Sequence, residues 1–224
     1  SAMNDKQRSG QCLVMITPDA QRTMCTDLGV SKDFSYALVN ESDLRSAKCF
    51  YIEGYLSASE LSSQSAARSA ALANACSTQV ALTLSDISMI EFCRDGLSAI
   101  MGDGVDTLFC NADEATAWAK TDRLDIAISE LRDIAKELYV TLGSEGAEVC
   151  NLEGRWQVRG ESVAAVDTNG AGDMFAGACL AARLQGAEAI DAARFANRAA
   201  ARVITQFGAR LPSLTDYQLL SATK

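Results

Sequence analysis

The sequence contains no histidine among its 224 residues. This absence excludes Ser-His-Asp and Cys-His catalysis, together with any metal site that depends on a histidine ligand. Long apolar runs are missing too, since none approaches the ~20 residues that a helix needs to span a bilayer. The first ten residues, SAMNDKQRSG, lack the apolar core of a signal peptide. We therefore expect no membrane partner.

Runs of basic residues are also lacking, and the net charge is −9. An acidic chain of this kind is a poor candidate for binding nucleic acid or an anionic membrane surface. It can still bind a small polyphosphate, because backbone N–H groups and a metal ion supply positive potential locally.

No two of the eight cysteines lie within four positions of each other, which argues against paired zinc ligands. Several of them, such as Cys49 and Cys179, stand in apolar runs and are typical of small core residues in a reducing compartment. We therefore expect a cytoplasmic protein without a disulfide framework.

Hydrophobic residues make up 48% of the chain and charged residues 22%, a balance that indicates a globular protein. With two prolines, no internal repeat and no low-complexity linker, the sequence predicts a single domain over residues 1–224. The opening SAM resembles a scar left by tag cleavage, so the natural numbering is expected to begin near Met3 or Asn4. Residues 1–10 are expected to be such a scar or a flexible start.

Short apolar strand patterns alternate with helical patterns along the chain. Two hairpins are also predicted, one where RTMCTDLG follows the first strand and one within AEVCNLEGRWQVRG. Apolar strands separated by helices predict an α/β fold with a mostly parallel sheet and helices on both faces. The predicted single strands are Cys12–Thr17, Cys49–Gly54, Gln79–Ser85, Val105–Cys110 and Glu137–Gly143.

The alanine-rich stretch at residues 57–77 predicts a helix. Ser57 and Glu60 have the S-x-x-E spacing of a capping box at its start. The other predicted helices cover residues 87–101, 112–119, 124–135, 172–185, 189–207 and 214–222.

Three unusual segments follow predicted strands: NADE (111–114), TLGSEGA (141–147) and DTNGAGD (167–173). A sheet of this type binds ligands beyond the carboxyl ends of its strands. Their shared position therefore indicates one ligand site more strongly than any of the three segments does alone.

DTNGAGD opens a predicted helix, where backbone N–H groups are unpaired and carry partial positive charge. Gly170, Ala171 and Gly172 have no bulky side chain, so an anion could approach those donors closely. Asp173 would stand in the first turn, where its carboxylate could accept a proton from a hydroxyl that attacks the anion. This arrangement suits phosphoryl transfer. The alternative is a plain helix cap, in which an Asp or Asn side chain satisfies the first turn.

DTNGAGD also resembles the C-terminal signature D-T-x-G-A-G-D of the ribokinase-like (PfkB) family of carbohydrate and nucleoside kinases. The resemblance implies a three-layer ribokinase-like sandwich that transfers the γ-phosphoryl group of ATP to a hydroxymethyl group. It also implies that Asp173 is the catalytic base and that the amides of Gly170, Ala171 and Gly172 form the anion hole.

The two other segments are similar to motifs of the same family. NADE resembles its N-x-x-E motif, which implies that Glu114 organises Mg²⁺ and its waters and that Asn111 lies near the triphosphate. Asn followed by Glu at the third position is also a capping box variant. TLGSEGA resembles the family's T-x-G-x-x-G stretch beside ATP, which implies that the following residues line the nucleotide site: Thr141, Gly143, Ser144 and Gly146. An ordinary glycine turn explains the same letters.

FANRAAARVITQFGA (195–209) resembles the last core helix of the family and the loop after it. The resemblance implies that Asn197 approaches the adenine; the alternative is a plain helix with Asn197 on its exposed face. Asp167 either orients the DTNGAGD loop or touches a monovalent cation. Neither G-x-x-x-x-G-K-[ST] nor G-x-G-x-x-G occurs, which argues against a P-loop kinase or a dinucleotide-dependent dehydrogenase.

The resemblance departs from the family at the front. Family members are longer and begin with acceptor-binding segments and lid strands, whereas TPDAQRTMCTDLG (17–29) is similar to a segment near the lid. FYIEGYL (50–56) favours the adenosine-kinase-like branch. We therefore expect an adenosine-kinase-like phosphotransferase that lacks the N-terminal acceptor part and forms a homodimer through the exposed edge or face. The alternatives are a non-catalytic nucleotide-binding fragment and a sugar kinase that acts on ribose or fructose derivatives.

Overall fold

The computed structural model describes residues 8–17 and 22–222, and it has the predicted α/β architecture with a mostly parallel central sheet. A two-stranded sheet pairs β1 with β2, and a six-stranded sheet has the order β3-β4-β5-β6-β7-β8. The strands are β1 (Ser9–Ile16), β2 (Arg22–Gly29), β3 (Cys49–Glu53), β4 (Gln79–Thr83), β5 (Val105–Asn111), β6 (Ala135–Thr141), β7 (Ala147–Asn151) and β8 (Gly154–Val158).

The helices fall between these strands and after the last of them. They are α1 (Glu41–Ser46), α2 (Glu60–Ala75), α3 (Ile87–Phe92), α4 (Arg94–Met101), α5 (Ala112–Ala119), α6 (Leu124–Leu131), α7 (Ala171–Leu184), α8 (Ala189–Val203) and α9 (Leu214–Ala222). Among the described residues, no helix combines the length and the apolar character that crossing a membrane requires.

The chain divides into two compact units. Within the described residues, the first consists of 8–12, 26–140 and 150–154, and the second of 13–17, 22–25, 141–149 and 155–222. The single domain expected over residues 1–224 stays a prediction. Residues 1–7, for which a tag scar or a flexible start is expected, lie outside the described residues. From Ser9 onwards the chain is in β1.

The first unit contains a parallel arrangement of β3, β4 and β5. Ile52 of β3 is paired with Leu82 of β4, which is paired in turn with Leu108 of β5. All three side chains are almost completely buried, as is typical of parallel strands that are covered on both faces. This row of apolar side chains forms the centre of the core in this unit.

The start of α2 differs from the prediction. Its N-cap is Ser59, whose side chain accepts a hydrogen bond from the Ser62 amide at 3.1 Å. Ser57 lies in a 3-10 turn at Gly54–Ala58 and donates to the Gly54 carbonyl at 2.7 Å. The predicted Ser57–Glu60 capping box is therefore wrong, because Ser57 belongs to the turn after β3 and Glu60 is the first residue of the helix instead of the third.

Three predicted helices are shorter or divided. The stretch at 87–101 forms α3 and α4, which are separated at Cys93. The stretch at 124–135 ends as a helix at Leu131, and Ala135 already belongs to β6. The stretch at 189–207 ends at Val203. Apolar spacing was therefore a good guide to where helices lie and a poor one to where they end.

Candidate active site

The most distinctive local geometry lies at the start of α7, in the second unit. Gly170 is the N-cap residue and has a left-handed backbone with a φ of 75°. A Cβ at this position would lie 2.6 Å from both the Cβ and the carbonyl oxygen of Ala209. Glycine is required here for two separate reasons, the backbone angle and the close approach of Ala209.

The first turn of α7 follows a glycine N-cap, and the Ala171 amide donates to the Thr168 carbonyl at 3.3 Å. Gly170 occupies the N-cap position and has no side chain, so no Asp or Asn caps the helix from that position, although the tight glycine entry of the plain-cap alternative is present. The anion hole stays a prediction. The first bond of the helix runs from the Met174 amide to the Gly170 carbonyl at 2.9 Å. The amides of Gly172 and Asp173 precede it and therefore have no acceptor within the helix.

Gly172 and Asp173 are both exposed. Apart from its chain neighbours and the backbone of its own helix, a Cβ added at Gly172 would meet no atom within 4 Å among the described residues, so a side chain would have open space there. Asp173 is the acidic residue of the first turn. The arrangement therefore combines helix N-terminal donors with an accessible carboxylate, which are the two elements that an attacked phosphoryl group needs.

Asp167 holds the loop that precedes this turn. It is 1% exposed, and its Oδ1 accepts from the Asn169 amide at 2.8 Å. Its Oδ2 accepts from the Gly208 amide, also at 2.8 Å. The carboxylate therefore orients the loop, which is one of the two roles predicted for it, and it joins that loop to the segment after α8.

The loop after β6 makes a tight turn in the same unit. Gly143–Glu145 is a 3-10 turn, closed by a hydrogen bond of 2.8 Å from the Leu142 amide to the Gly146 carbonyl. Gly143 has a φ of 59°, is exposed, and leaves open space where a Cβ would stand. Ser144 is exposed as well. The predicted nucleotide loop is thus a turn that offers Gly143 and Ser144 to solvent.

Asn197 lies on α8 and is 7% exposed, so the alternative that placed it on the exposed helix face is wrong. Its Nδ2 donates to the carbonyls of Val158 at 3.0 Å and Arg159 at 3.1 Å. The predicted approach of Asn197 to adenine stays a prediction.

Asn111 and Glu114 lie in the first unit and form a complete capping box. The Glu114 amide donates to Asn111 Oδ1 at 2.7 Å. In return, the Asn111 amide and Nδ2 donate to the two carboxylate oxygens of Glu114, at 3.0 and 2.8 Å. Glu114 is 6% exposed. The alternative interpretation of NADE as a capping box is therefore correct. Any action of Glu114 on Mg²⁺, as predicted, would involve a carboxylate that is already hydrogen-bonded to Asn111.

The structure thus brings most of the predicted residues into the second unit: Gly170, Ala171, Gly172, Asp173, Thr141, Gly143, Ser144, Gly146 and Asn197. Asn111 and Glu114 are in the first. In the part of the chain that the structure describes, no group of three or more Cys, Asp and Glu side chains is arranged to hold a metal ion.

Gly208 and Gly160 are not among the residues predicted from the sequence. The Gly208 amide is a partner of Asp167, and the Gly160 amide donates to the Glu145 carbonyl at 3.2 Å. A possible signal was their shared position in short glycine-containing loops directly after regular elements. Their partners are distant in sequence, however, so spacing alone does not identify them.

Comparison with known proteins agrees with this geometry. The sequence pattern of the family described as "pfkB family carbohydrate kinase" matches residues 2–216. An adenosine kinase of Schizophyllum commune is 28% identical over 232 aligned positions, which cover 90% of this chain and 64% of that protein.

Two solved structures have the same fold. The adenosine kinase from Sinorhizobium meliloti has a TM-score of 0.89 at 30% identity, over 96% of this chain and 66% of that one. A probable sugar kinase from Rhizobium etli CFN 42 also has a TM-score of 0.89, at 28% identity, over 95% and 65%. The chain thus spans about two thirds of the length of these proteins. Since the family pattern matches nearly the whole chain, the chain belongs to the pfkB family of carbohydrate kinases.

Proposed function

We propose that this chain carries the phosphoryl-transfer machinery of an ATP-dependent kinase. Its substrate would be a nucleoside with a free hydroxymethyl group, as in an adenosine kinase. The observation that supports this most directly is the start of α7, where the Asp173 carboxylate shares one helical turn with the amides of Gly172 and Asp173, which have no acceptor within the helix. Such a turn can hold a transferring phosphoryl group and its attacking hydroxyl at the same place.

In the proposed reaction, the acceptor oxygen forms a bond to the γ-phosphorus of ATP while the bond from that phosphorus to the β-γ bridging oxygen breaks. ADP leaves with the electron pair, and Asp173 accepts the proton of the hydroxyl. The amides of Gly172 and Asp173 would stabilise the negative charge on the phosphoryl oxygens. The amides of Gly170 and Ala171 are also assigned to this anion hole by the family resemblance, although that of Ala171 donates to the Thr168 carbonyl at 3.3 Å. Asp167 supports this step indirectly, because its two hydrogen bonds hold the loop from which the helix starts.

Nucleotide binding is assigned to the turn after β6. Thr141, Gly143, Ser144 and Gly146 would line the site, and the exposed position of Gly143 and Ser144 supports this. Mg²⁺, when bound, would neutralise phosphate charge. Glu114 would act on that ion with Asn111 nearby, although both of its carboxylate oxygens also accept hydrogen bonds from Asn111. Contact of Asp167 with a monovalent cation stays a prediction.

Replacement of Asp173 by Asn tests the assignment of the base. Because the amide cannot accept the proton, kcat should fall by about 10²–10⁴. The affinity for Mg·ATP should change little, since Asp173 is directed at the acceptor. A matched control is Asp191→Asn on α8, which removes an exposed carboxylate paired with Arg194. If the Asp173 variant retained the kcat of the control, Asp173 would not be the base.

A sugar kinase is the second candidate, because the Rhizobium etli sugar kinase matches the fold with the same TM-score as the adenosine kinase from Sinorhizobium meliloti. Release of ADP in the presence of adenosine, ribose or fructose separates the two. Saturable binding of Mg·ATP without turnover on any acceptor would indicate a nucleotide-binding chain without catalysis. We also propose a cytoplasmic location, which the eight free thiols support.

A further inference from the structure

Both hydrogens of the Asn197 amide nitrogen are used within the protein. Nδ2 carries two hydrogens, and it donates to two acceptors, the carbonyls of Val158 and Arg159. The reverse orientation of the amide would place Oδ1 against these two carbonyl oxygens, which repel it. The side chain is therefore held in one orientation, with both hydrogens engaged.

These two carbonyls belong to the end of β8 and the residue after it. The next residue, Gly160, donates its amide to the Glu145 carbonyl at 3.2 Å. Glu145 ends the 3-10 turn that includes Gly143 and Ser144. Hydrogen bonds thus connect Asn197 to β8, and β8 to the turn after β6.

Close packing reinforces this connection. Gly146 has a φ of 100°, and a Cβ at that position would collide with the Val158 carbonyl oxygen and the Gly160 amide. A Cβ on Gly160 would lie 2.6 Å from the Ser144 carbonyl oxygen. The turn therefore rests directly on the backbone that Asn197 holds, and it would move if that backbone moved.

We infer that Asn197 is a positioning residue of the nucleotide site, which sets the turn Gly143–Gly146 through the end of β8 and does not read the base. This inference rests on the proposed assignment of the turn to nucleotide binding. It assigns a different task to Asn197 from the approach to adenine that sequence resemblance implies.

Asn197→Ala tests the inference through binding of Mg·ATP and Mg·GTP, measured by calorimetry on the full chain. A side chain that sets the turn affects both nucleotides alike, so both affinities should fall by about tenfold and their ratio should stay at the wild-type value. An asparagine that reads adenine does so through the N6 and N7 edge, which differs in guanine. Its loss would weaken ATP selectively and leave GTP unchanged.

Gly160→Ala is a second variant, which disturbs the packing of the turn against the segment after β8. The three atoms nearest to its new methyl group belong to Ser144 and Gly146, so it would displace the turn, and the same equal loss for ATP and GTP is expected. Ala201→Gly is the control, since Ala201 is buried in α8 one turn after Asn197. It weakens the helix and leaves the amide in place, and it should bind both nucleotides as the wild type does.

Hydrogen exchange at the Gly160 amide gives a readout that needs no ligand. Asn197→Ala should accelerate exchange there, and Ala201→Gly should not. Faster exchange combined with unchanged nucleotide binding would overturn the inference, because Asn197 would then be merely structural. A selective loss of ATP binding would overturn it as well. If the wild type bound neither nucleotide, the proposed function would fail, and the inference would fail with it.

Discussion

The carboxylate of Asp167 accepts a hydrogen bond of 2.8 Å from the amide of Gly208, a residue 41 positions further along the chain. Its other oxygen accepts from the Asn169 amide. One buried side chain thus joins the loop before α7 to the segment after α8. The carbonyl of Ile204 adds to this connection, because it accepts from the amides of Val166 and Asp167.

Asp167→Asn should destabilise the fold. An amide presents one accepting oxygen, so one of the two backbone donors would lose its partner in a buried position. We expect the free energy of unfolding in urea to fall by about 1–3 kcal/mol. The exposed control Asp191→Asn should stay within about 0.5 kcal/mol of the wild type. Equal stability of the two variants would contradict a structural role for Asp167.

Substitution of Gly170 should mainly lower stability, whereas substitution of Gly172 should mainly weaken Mg·ATP binding. Gly170→Ala forces a side chain into a left-handed backbone and against Ala209, so the free energy of unfolding should fall by about 1–3 kcal/mol. Gly172→Val has open space for its side chain and should alter folding less. It should nevertheless weaken Mg·ATP binding, because it covers the amides. Calorimetric titration and urea unfolding of both variants measure these effects, and unaltered ATP affinity in Gly172→Val would contradict the anion hole.

Variants of the capping box distinguish a structural role of Glu114 from a role in binding Mg²⁺. Asn111→Ala removes the cap of α5 and should lower the free energy of unfolding by about 1 kcal/mol. If Glu114 acts on Mg²⁺, Glu114→Gln should also raise the Mg²⁺ concentration required for half-maximal ADP release at fixed ATP. A Glu114→Gln variant with lower stability and an unaltered Mg²⁺ requirement would show that this residue only caps the helix.

Cys110 should make the stability depend on pH in alkaline solution. Burial raises the pKa of its thiol well above the ordinary value of 9.0, and the nearby charges of Glu114 and Cys150 raise it further. The folded state therefore keeps a proton that the unfolded state releases above that value. The free energy of unfolding should be unaffected by this group below about pH 9 and should fall by about 1.4 kcal/mol per pH unit above it.

Urea unfolding between about pH 8 and pH 10.5 measures this effect, with Cys110→Ala as the comparison. The variant lacks the buried thiol, so its stability should decline less steeply over the same range. Parallel pH profiles for the two proteins would contradict the assignment to Cys110.

Self-association stays a prediction and depends on β3, which is at one end of the six-stranded sheet and is paired with β4. An end strand presents backbone N–H and C=O groups to another chain. We expect a two-fold dimer with twice the monomer mass in light scattering. Phe50→Lys should shift the chain toward the monomer, because an edge lysine opposes pairing. A monomeric wild type would exclude association through this edge.

Features that depend on near neighbours along the chain could be predicted from the sequence alone. The capping box joins Asn111 to Glu114, which is three positions further along the chain. Its pattern could be recognised in the sequence because a helix start brings such residues together wherever it forms. The alternation of apolar strands and helices likewise predicted the α/β fold, since each element must bury its own apolar face. DTNGAGD likewise predicted the start of α7. Its resemblance to the family signature also depends on consecutive residues.

The distant groups that these local elements contact could not be predicted and are visible in the folded chain alone. Asn197 had two readings from sequence, an exposed helix position and an approach to adenine, yet it donates to carbonyls 38 and 39 positions earlier. Ser57 matched a capping pattern, but its hydroxyl donates to the Gly54 carbonyl in the turn after β3. Hydrogen bonds between distant segments depend on how the whole chain packs, and residue spacing carries no record of that packing.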